Sequence, residues 1–239
     1  MNKVLSIIIP SYNMEDYIKK CVSSLLIPSV ESLDIIIVND GSKDNTLSIA
    51  KQFEDKYPDC ISVIDKPNGN YGSCINKGIK TARGKYIKVL DTDDSFNTPN
   101  LEKFVEFLTQ IDNDLIITDY NMVDPSGKII KHWKPSNLPD SKINNGNEYD
   151  LDFYDELFQM HAVTYRTEIL REINYHQLEG ISYTDQQWMF LPISHVKTVG
   201  YFGYAIYNYL IGRDGQTISS DSYIKNHNAI LKLTYQMAK

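Results

Sequence analysis

Two periodicities alternate along the first hundred residues. Leu5 to Ile9 is an apolar, β-branched run of the kind found in a strand covered on both faces. Ile18, Cys21, Val22 and Leu25 then recur at helical spacing. Ile35 to Val38 is a second buried-strand run, ending at Asn39-Asp40-Gly41. The helix predicted after it carries Ile49, Ala50, Phe53 and Tyr57 on one face, with Asp44 or Asn45 as its cap. Ile61 to Ile64, Ser73 to Ala82 and Tyr86 to Leu90 continue as strand, helix and strand, the last running into Asp91. This β-α-β-α-β-α-β order predicts the α/β class, a mostly parallel central sheet with helices on both faces. Ligands of such sheets sit at the carboxyl ends of the strands. That rule singles out Ser11 and Asn13, Asp40, Asp65 and Lys66, and Asp91 to Asp94.

Leu101 to Leu108 reads as a further helix and Leu115 to Asp119 as a further strand. Beyond Asp119 the rhythm weakens. Residues 124–150 are rich in Pro, Asn, Gly and Asp and read as loop. Strand-like pieces return at Val163 to Tyr165 and Tyr201 to Leu210, a helical pattern begins near Asp185, and Tyr223 to Met237 reads as an amphipathic helix. There is no repeat and no long linker, and 239 residues suit a single α/β domain.

The net charge of -7 argues against a broad nucleic-acid footprint. An acidic chain that holds any anion must bring local positive charge, from a metal or from a few placed Lys or Arg. Cys21, Cys60 and Cys74 make no zinc pattern and are expected as buried, reduced thiols. No stretch approaches the ~18–20 apolar residues of a membrane span, and Val4 to Pro10 is too short for a signal peptide. A cytoplasmic protein is expected, with peripheral contact at the inner membrane face left open.

The chemistry concentrates in Val89-Leu90-Asp91-Thr92-Asp93-Asp94. An apolar strand runs out into carboxylates at i and i+2, which project to one side of an extended chain. Paired hard oxygens suit Mg2+ or Mn2+ when phosphate oxygens complete the shell. The plainer reading is an acidic turn, with Asp94 or Thr98 capping the next helix. Asp40, before Gly41, is placed to accept hydrogen bonds from a base or ribose, or simply to form a turn. Asn68-Gly69-Asn70-Tyr71-Gly72-Ser73 opens a helix where N–H groups can approach an anion. Its spacing fits neither a dinucleotide oxidoreductase nor a P-loop.

These segments occur in a fixed order: Pro10-Ser11-Tyr12-Asn13, Val38 to Asp44, Asn68-Gly69 to Gly78, Ala82 to Tyr86, and Leu90 to Asp94. The set resembles the family 2 glycosyltransferases with a GT-A fold, densely over the first hundred residues. Tyr183-Thr184-Asp185 and Gly212 to Thr217 add similarities in the carboxyl half. The resemblance implies a nucleotide-sugar-binding half at 1–120 and an acceptor-side half at 121–239. It implies Asp40 for the nucleoside, with Pro10, Ser11 and Asn13 beside base and ribose. Asp91 would lie near the ribose and Asp93 would hold Mn2+ or Mg2+. Asp185 would be the catalytic base, with Thr184 standing where many members carry Glu. Arg213 would lie near the diphosphate, and Lys66 would touch the nucleotide. The implied reaction moves a sugar, with inversion, from a UDP-sugar to a glycan or lipid-linked acceptor. The competing readings are an aspartyl-phosphate phosphatase and a non-catalytic nucleotide- or glycan-binding protein. Trp188, Phe190 and Tyr201 to Tyr209 read as core or groove lining. His161 reads as facing an acceptor or satisfying a strand end, and His132-Trp133 as a lesser acceptor candidate.

Overall fold

The computed structural model describes residues 3–135, 143–144, 159–213 and 227–237. Strands β1 (Leu5–Ser11), β2 (Leu33–Asn39), β3 (Ile61–Asp65) and β4 (Tyr86–Val89) alternate with helices α1 (Ile18–Ser23), α2 (Thr46–Lys56) and α3 (Asn70–Thr81). The short β5 (Ser95–Phe96) leads into α4 (Thr98–Thr109) and then β6 (Leu115–Val123). Strands β7 (Ile129–Trp133), β8 (Ile143–Asn144) and β9 (Val163–Arg166) follow, then α5 (Thr167–Glu172), α6 (Asp185–Phe190), β10 (Val199–Leu210) and α7 (His227–Met237).

One sheet holds all the described strands, in the order β3-β2-β1-β4-β9-β6-β10-β5, with β7 on β6 and β8 on β10. β1 is parallel to β2 and β4, β2 to β3, and β6 to β10. β9 lies antiparallel between β4 and β6, so β4 and β6 keep a common direction across it. Six carboxyl ends, those of β3, β2, β1, β4, β6 and β10, therefore reach the same edge.

The apolar runs form strands because both faces are covered. Every residue of β2 is buried, as are Leu5, Ile7, Ile8 and Ile9 of β1. Helix α3 lies so close to β1 that a Cβ on Gly78 would sit 2.5 Å from Ile8 Cγ2. Beneath, Asp34 accepts from Ser6 Oγ (2.7 Å) and from the Arg83 backbone N–H (2.8 Å) and Nε (2.8 Å), tying the approach to β4 onto β1 and β2. All three cysteines are buried and free. None of the described helices is long and apolar enough to cross a membrane.

Several boundaries depart from the sequence expectation. Helix α3 begins at Asn70 rather than Ser73, with Asn70 in the left-handed region (φ 65). At α2, Asn45 holds the cap position, yet it is the Asp44 carboxylate that takes the Thr46 N–H (3.0 Å). Helix α4 is capped by Asn97, whose side chain accepts from Asn100 N, and not by Asp94 or Thr98. Residues 124–150 are not all loop. Asp124 Oδ1 gathers Ser126 N, Ser126 Oγ and Lys128 N in a tight turn, and β7 returns along β6 from there. The amphipathic helix is described from His227 only; its expected start at Tyr223 lies outside the described residues.

Candidate active site

A cleft of about 930 Å³ opens at the shared carboxyl edge. Its walls include Pro10 and Ser11 at the end of β1, Asp40 after β2, Asp91 to Asp93 after β4, Tyr120 and Met122 from β6, Tyr209 from β10 and Arg213 just beyond it. Tyr71 and Cys74 on α3 and Asp185 and Gln186 on α6 close it from the sides. Pro10, Ser11, Asp40, Asp91, Asp93, Asp185 and Arg213 thus share one cavity, although they span two hundred positions of chain.

At the end of β4, the Leu90 N–H still reaches Ile8 O (3.0 Å), and the chain then turns out of the sheet. Asp94 N bonds Asp91 O (3.0 Å), so Asp91 to Asp94 is a turn and not extended chain. The alternation argument for Asp91 and Asp93 sharing a side therefore does not apply; separate partners aim each carboxylate. Asp91 Oδ1 accepts from Tyr71 Oη (2.9 Å). Asp93 Oδ2 accepts from Arg213 Nε (2.5 Å), and that guanidinium also lies over the Tyr17 ring, 5.4 Å from its centroid. Asp94 points inward, accepting from Tyr207 Oη (2.6 Å) and Leu210 N (2.7 Å). Thr92 donates to Pro10 O (2.7 Å) and pairs with Ser11 Oγ (2.7 Å), which locks the turn to the end of β1.

Burial in a poorly solvated corner beside like charges favours the protonated forms of Asp91 and Asp94. Burial, with the charges of Asp93 and Asp185 added, pushes Asp91 up to about 7. Asp94 is raised by burial and then by Asp93 and Asp91. Asp185, the first residue of α6, is raised by burial, against the opposing pull of N–H groups at the helix start. The residue two before it, Tyr183, is left-handed (φ 66).

His161 stands opposite the acidic turn. It is 7% exposed, stacked on Tyr209 at 4.2 Å and edge-on to Tyr207 at 4.8 Å. Burial, and then Lys88, lowers its pKa to about 3, so the ring is neutral. One ligand atom each from Asp91, Asp94 and His161 lies within 4.8 Å of the other two. Hard carboxylate oxygens with a neutral imidazole form a donor set that fits a divalent cation.

Two predicted residues do not line the cleft. Asn13 (φ 52) is spent on a loop staple, its N–H reaching Ser42 Oγ (3.0 Å) and its Oδ1 taking the Lys43 N–H (2.8 Å). The Lys66 ammonium is paired with Asp40 and also donates to Pro67 O (3.1 Å). Asp40 Oδ1 further accepts the Gly69 N–H (2.9 Å), so this member of the glycine loop serves a carboxylate of the chain itself. The Nδ1 of His161 has no hydrogen-bond partner among the described residues. His132 bonds Asn121 (2.9 Å) and Asp119 (3.1 Å), and Trp133 stacks on Tyr120. Trp188 is core, edge-on to Tyr165 and Tyr175, while Phe190 is exposed at the cleft rim. Of the Gly212 to Thr217 segment, only 212 and 213 are described.

Sequence reasoning missed Tyr71 and Lys88; Tyr207 is buried as its core reading expected, but its hydroxyl bond to Asp94 was not foreseen. Lys88 is wholly buried in β4, donates to His161 O (2.8 Å) and Val163 O (3.1 Å), and is pushed down to about 7 by burial alone. A lysine inside the apolar run Tyr86 to Leu90 was the visible signal, since a strand covered on both faces cannot send it to water.

Known proteins resemble this chain in sequence and in fold. An "Uncharacterized glycosyltransferase" of Rickettsia felis is 37% identical over 146 residues, covering 59% of this chain and 24% of that protein. The "Minor teichoic acid biosynthesis protein GgaB" of Bacillus subtilis is 28% identical over 237 residues, 96% of this chain and 26% of its own length. The chain therefore spans about a quarter of these curated relatives. Among solved structures, S. aureus TarS 1-349 in complex with UDP-GlcNAc superposes with a TM-score of 0.71 at 23% identity, over 92% of this chain and 64% of that one. The fold is the GT-A fold. The family model for glycosyl transferase family 2 matches residues 6–173, and the chain belongs to that family.

Proposed function

We propose that this protein transfers a sugar from a UDP-sugar to a hydroxyl of a surface polymer or lipid-linked glycan, inverting the anomeric centre. The observation that carries the reading is the meeting of Asp40, Asp91, Asp93, Asp185 and Arg213 on one cleft in a family 2 chain. UDP-GlcNAc in TarS supports the donor class, and the teichoic acid role named for GgaB supports the acceptor class.

In this reading residues 1–120 hold the nucleotide and 121–239 supply the acceptor side. Pro10, Ser11 and Asp40 bind the nucleoside, and Asp91 lies by the ribose. Asp91 and Asp93 are the carboxylates assigned to Mn2+ or Mg2+, which when bound stabilises the charge developing on the leaving diphosphate. Arg213 adds a fixed positive group beside the same charge. Asp185 takes the acceptor proton as the hydroxyl attacks. Its burial raises its proton affinity, which makes it a stronger base than an exposed aspartate. A single base without a nucleophilic partner accounts for inversion. Lys66 acts on the nucleotide through Asp40, and Asn13 by tying the loop that follows Pro10 and Ser11 to Ser42 and Lys43.

Calorimetry of UDP with Mn2+ separates the roles. Asp93→Ala is expected to abolish cation-dependent UDP binding. Asp185→Asn is expected to leave binding intact and to stop transfer. Equal loss of binding in both variants would reject the division.

A further inference from the structure

We infer that His161 supplies a nitrogen ligand to the divalent cation, making the site a mixed nitrogen–oxygen one that selects Mn2+ over Mg2+. The inference rests on the proposed function for the presence of a cation. It goes further by assigning the cation's preference to a residue outside the acidic turn.

Three observations carry it. First, a ring nitrogen of His161 and carboxylate oxygens of Asp91 and Asp94 are mutually within 4.8 Å, a trio that could hold one ion. Second, the imidazole is 7% exposed and its Nδ1 has no hydrogen-bond partner among the described residues. A buried ring nitrogen without a partner is costly, and a lone pair offered beside two carboxylates is what a cation would complete. Third, the ring is held in place. Tyr209 stacks on one face, Tyr207 meets it edge-on, and the Lys88 ammonium pins its backbone carbonyl at 2.8 Å.

Asp94 is not disqualified by its internal bonds. Each of its oxygens accepts one protein hydrogen bond, from Tyr207 Oη or Leu210 N, and each keeps a second lone pair. Asp91 belongs to both the assigned pair and this triad, so it is the shared ligand. Ion preference follows from ligand chemistry. Mg2+ demands oxygen in near-ideal octahedral geometry and dehydrates reluctantly, whereas imidazole suits first-row transition ions better.

The test uses the whole chain with saturating UDP. Mn2+ and Mg2+ are titrated calorimetrically into wild type, His161→Ala and His161→Phe, the last keeping a ring between the tyrosines but no nitrogen. Pulsed EPR of the Mn2+-loaded protein reads nitrogen coupling directly. Wild type is expected to favour Mn2+ and to show imidazole nitrogen coupling. Both variants should weaken Mn2+ by about tenfold or more, leave Mg2+ little changed and lose the coupling. Mn2+ binding to wild type without nitrogen coupling would overturn this inference and spare the proposed function. Equal weakening of both ions in the Phe variant would also overturn it. Failure of both ions to bind wild type would overturn the cation reading and this inference together.

Discussion

Lys88 offers a sharp test, because its ammonium is buried with two carbonyls and, among the described residues, no carboxylate paired with it. Burial lowers its pKa from 10.5 to about 7 in the folded chain. Below pH ~7 the residue is charged in both states, and above ~10.5 it is neutral in both, so its contribution is flat at either end. Between these limits the unfolded chain holds a proton that the folded chain has released, and stability rises with pH. At ~1.36 kcal/mol per unit, and with the folded group half-titrated at the start, the rise between pH ~7 and ~9 comes to about 2 kcal/mol. Lys88→Met fills the same volume without a titrating group. Urea unfolding of wild type and variant across that window should show their stability difference growing by this amount in favour of wild type. The loss of the carbonyl contacts adds a constant offset and leaves the slope untouched. Tyrosines and cysteines that titrate at the alkaline end cancel in the difference. A difference that stays level across the window would refute the reasoning, since it would mean that the folded site keeps the ammonium charged.

Other expectations follow from the same structure. Mn2+ affinity in the presence of UDP should strengthen as pH rises through 7, because Asp91 must lose its proton to bind a cation. Tyr71→Phe deletes the hydrogen bond that lowers the Asp91 pKa, so calorimetry should find that profile displaced to higher pH. Gly78→Ala drives a methyl into Ile8 and should cost about 1–3 kcal/mol in thermal or urea unfolding, with UDP binding retained in the folded fraction. Asp34→Ala removes the acceptor of the Ser6 hydroxyl and of the Arg83 guanidinium, while the Arg83 N–H keeps Ser6 Oγ (3.2 Å), and should cost about 2 kcal/mol by the same measurement.

The parallel half of the fold was legible because its strands are buried on both faces and its helices amphipathic. Each element from β1 to β4 announces itself within ten residues. The hairpin of β7 was not legible. Ile129 and Ile130 are exposed there, so burial imposes no alternation, and only the turn chemistry of Asp124 to Gly127 marks it. The candidate site divided in the same way. Asp40 and Asp91 stand at strand ends, where topology alone directs attention. The roles of Tyr71, Tyr207 and His161 depend on contacts with residues between 20 and 116 positions away, which no local pattern encodes. Asn13 was misplaced for a related reason. Sequence puts it beside the cleft, but its positive φ turns its amide toward Ser42 and Lys43 instead.

The reversed direction of β9 carries a consequence for how the molecule can be divided. Between two strands that deliver their last residues to the working edge, a strand running the other way delivers its first. That is how His161, just upstream of Val163, comes to face Asp91 at the far end of β4. A break after residue 120 would therefore strip β4 of its neighbour on that side and remove the imidazole, Asp185 and Arg213 in one stroke. Such an amino-terminal piece would keep the acidic turn and the wall around Asp40 while losing the opposite bank of the cleft. The boundary between the two halves is drawn along the chain, but the chemistry lies across the seam.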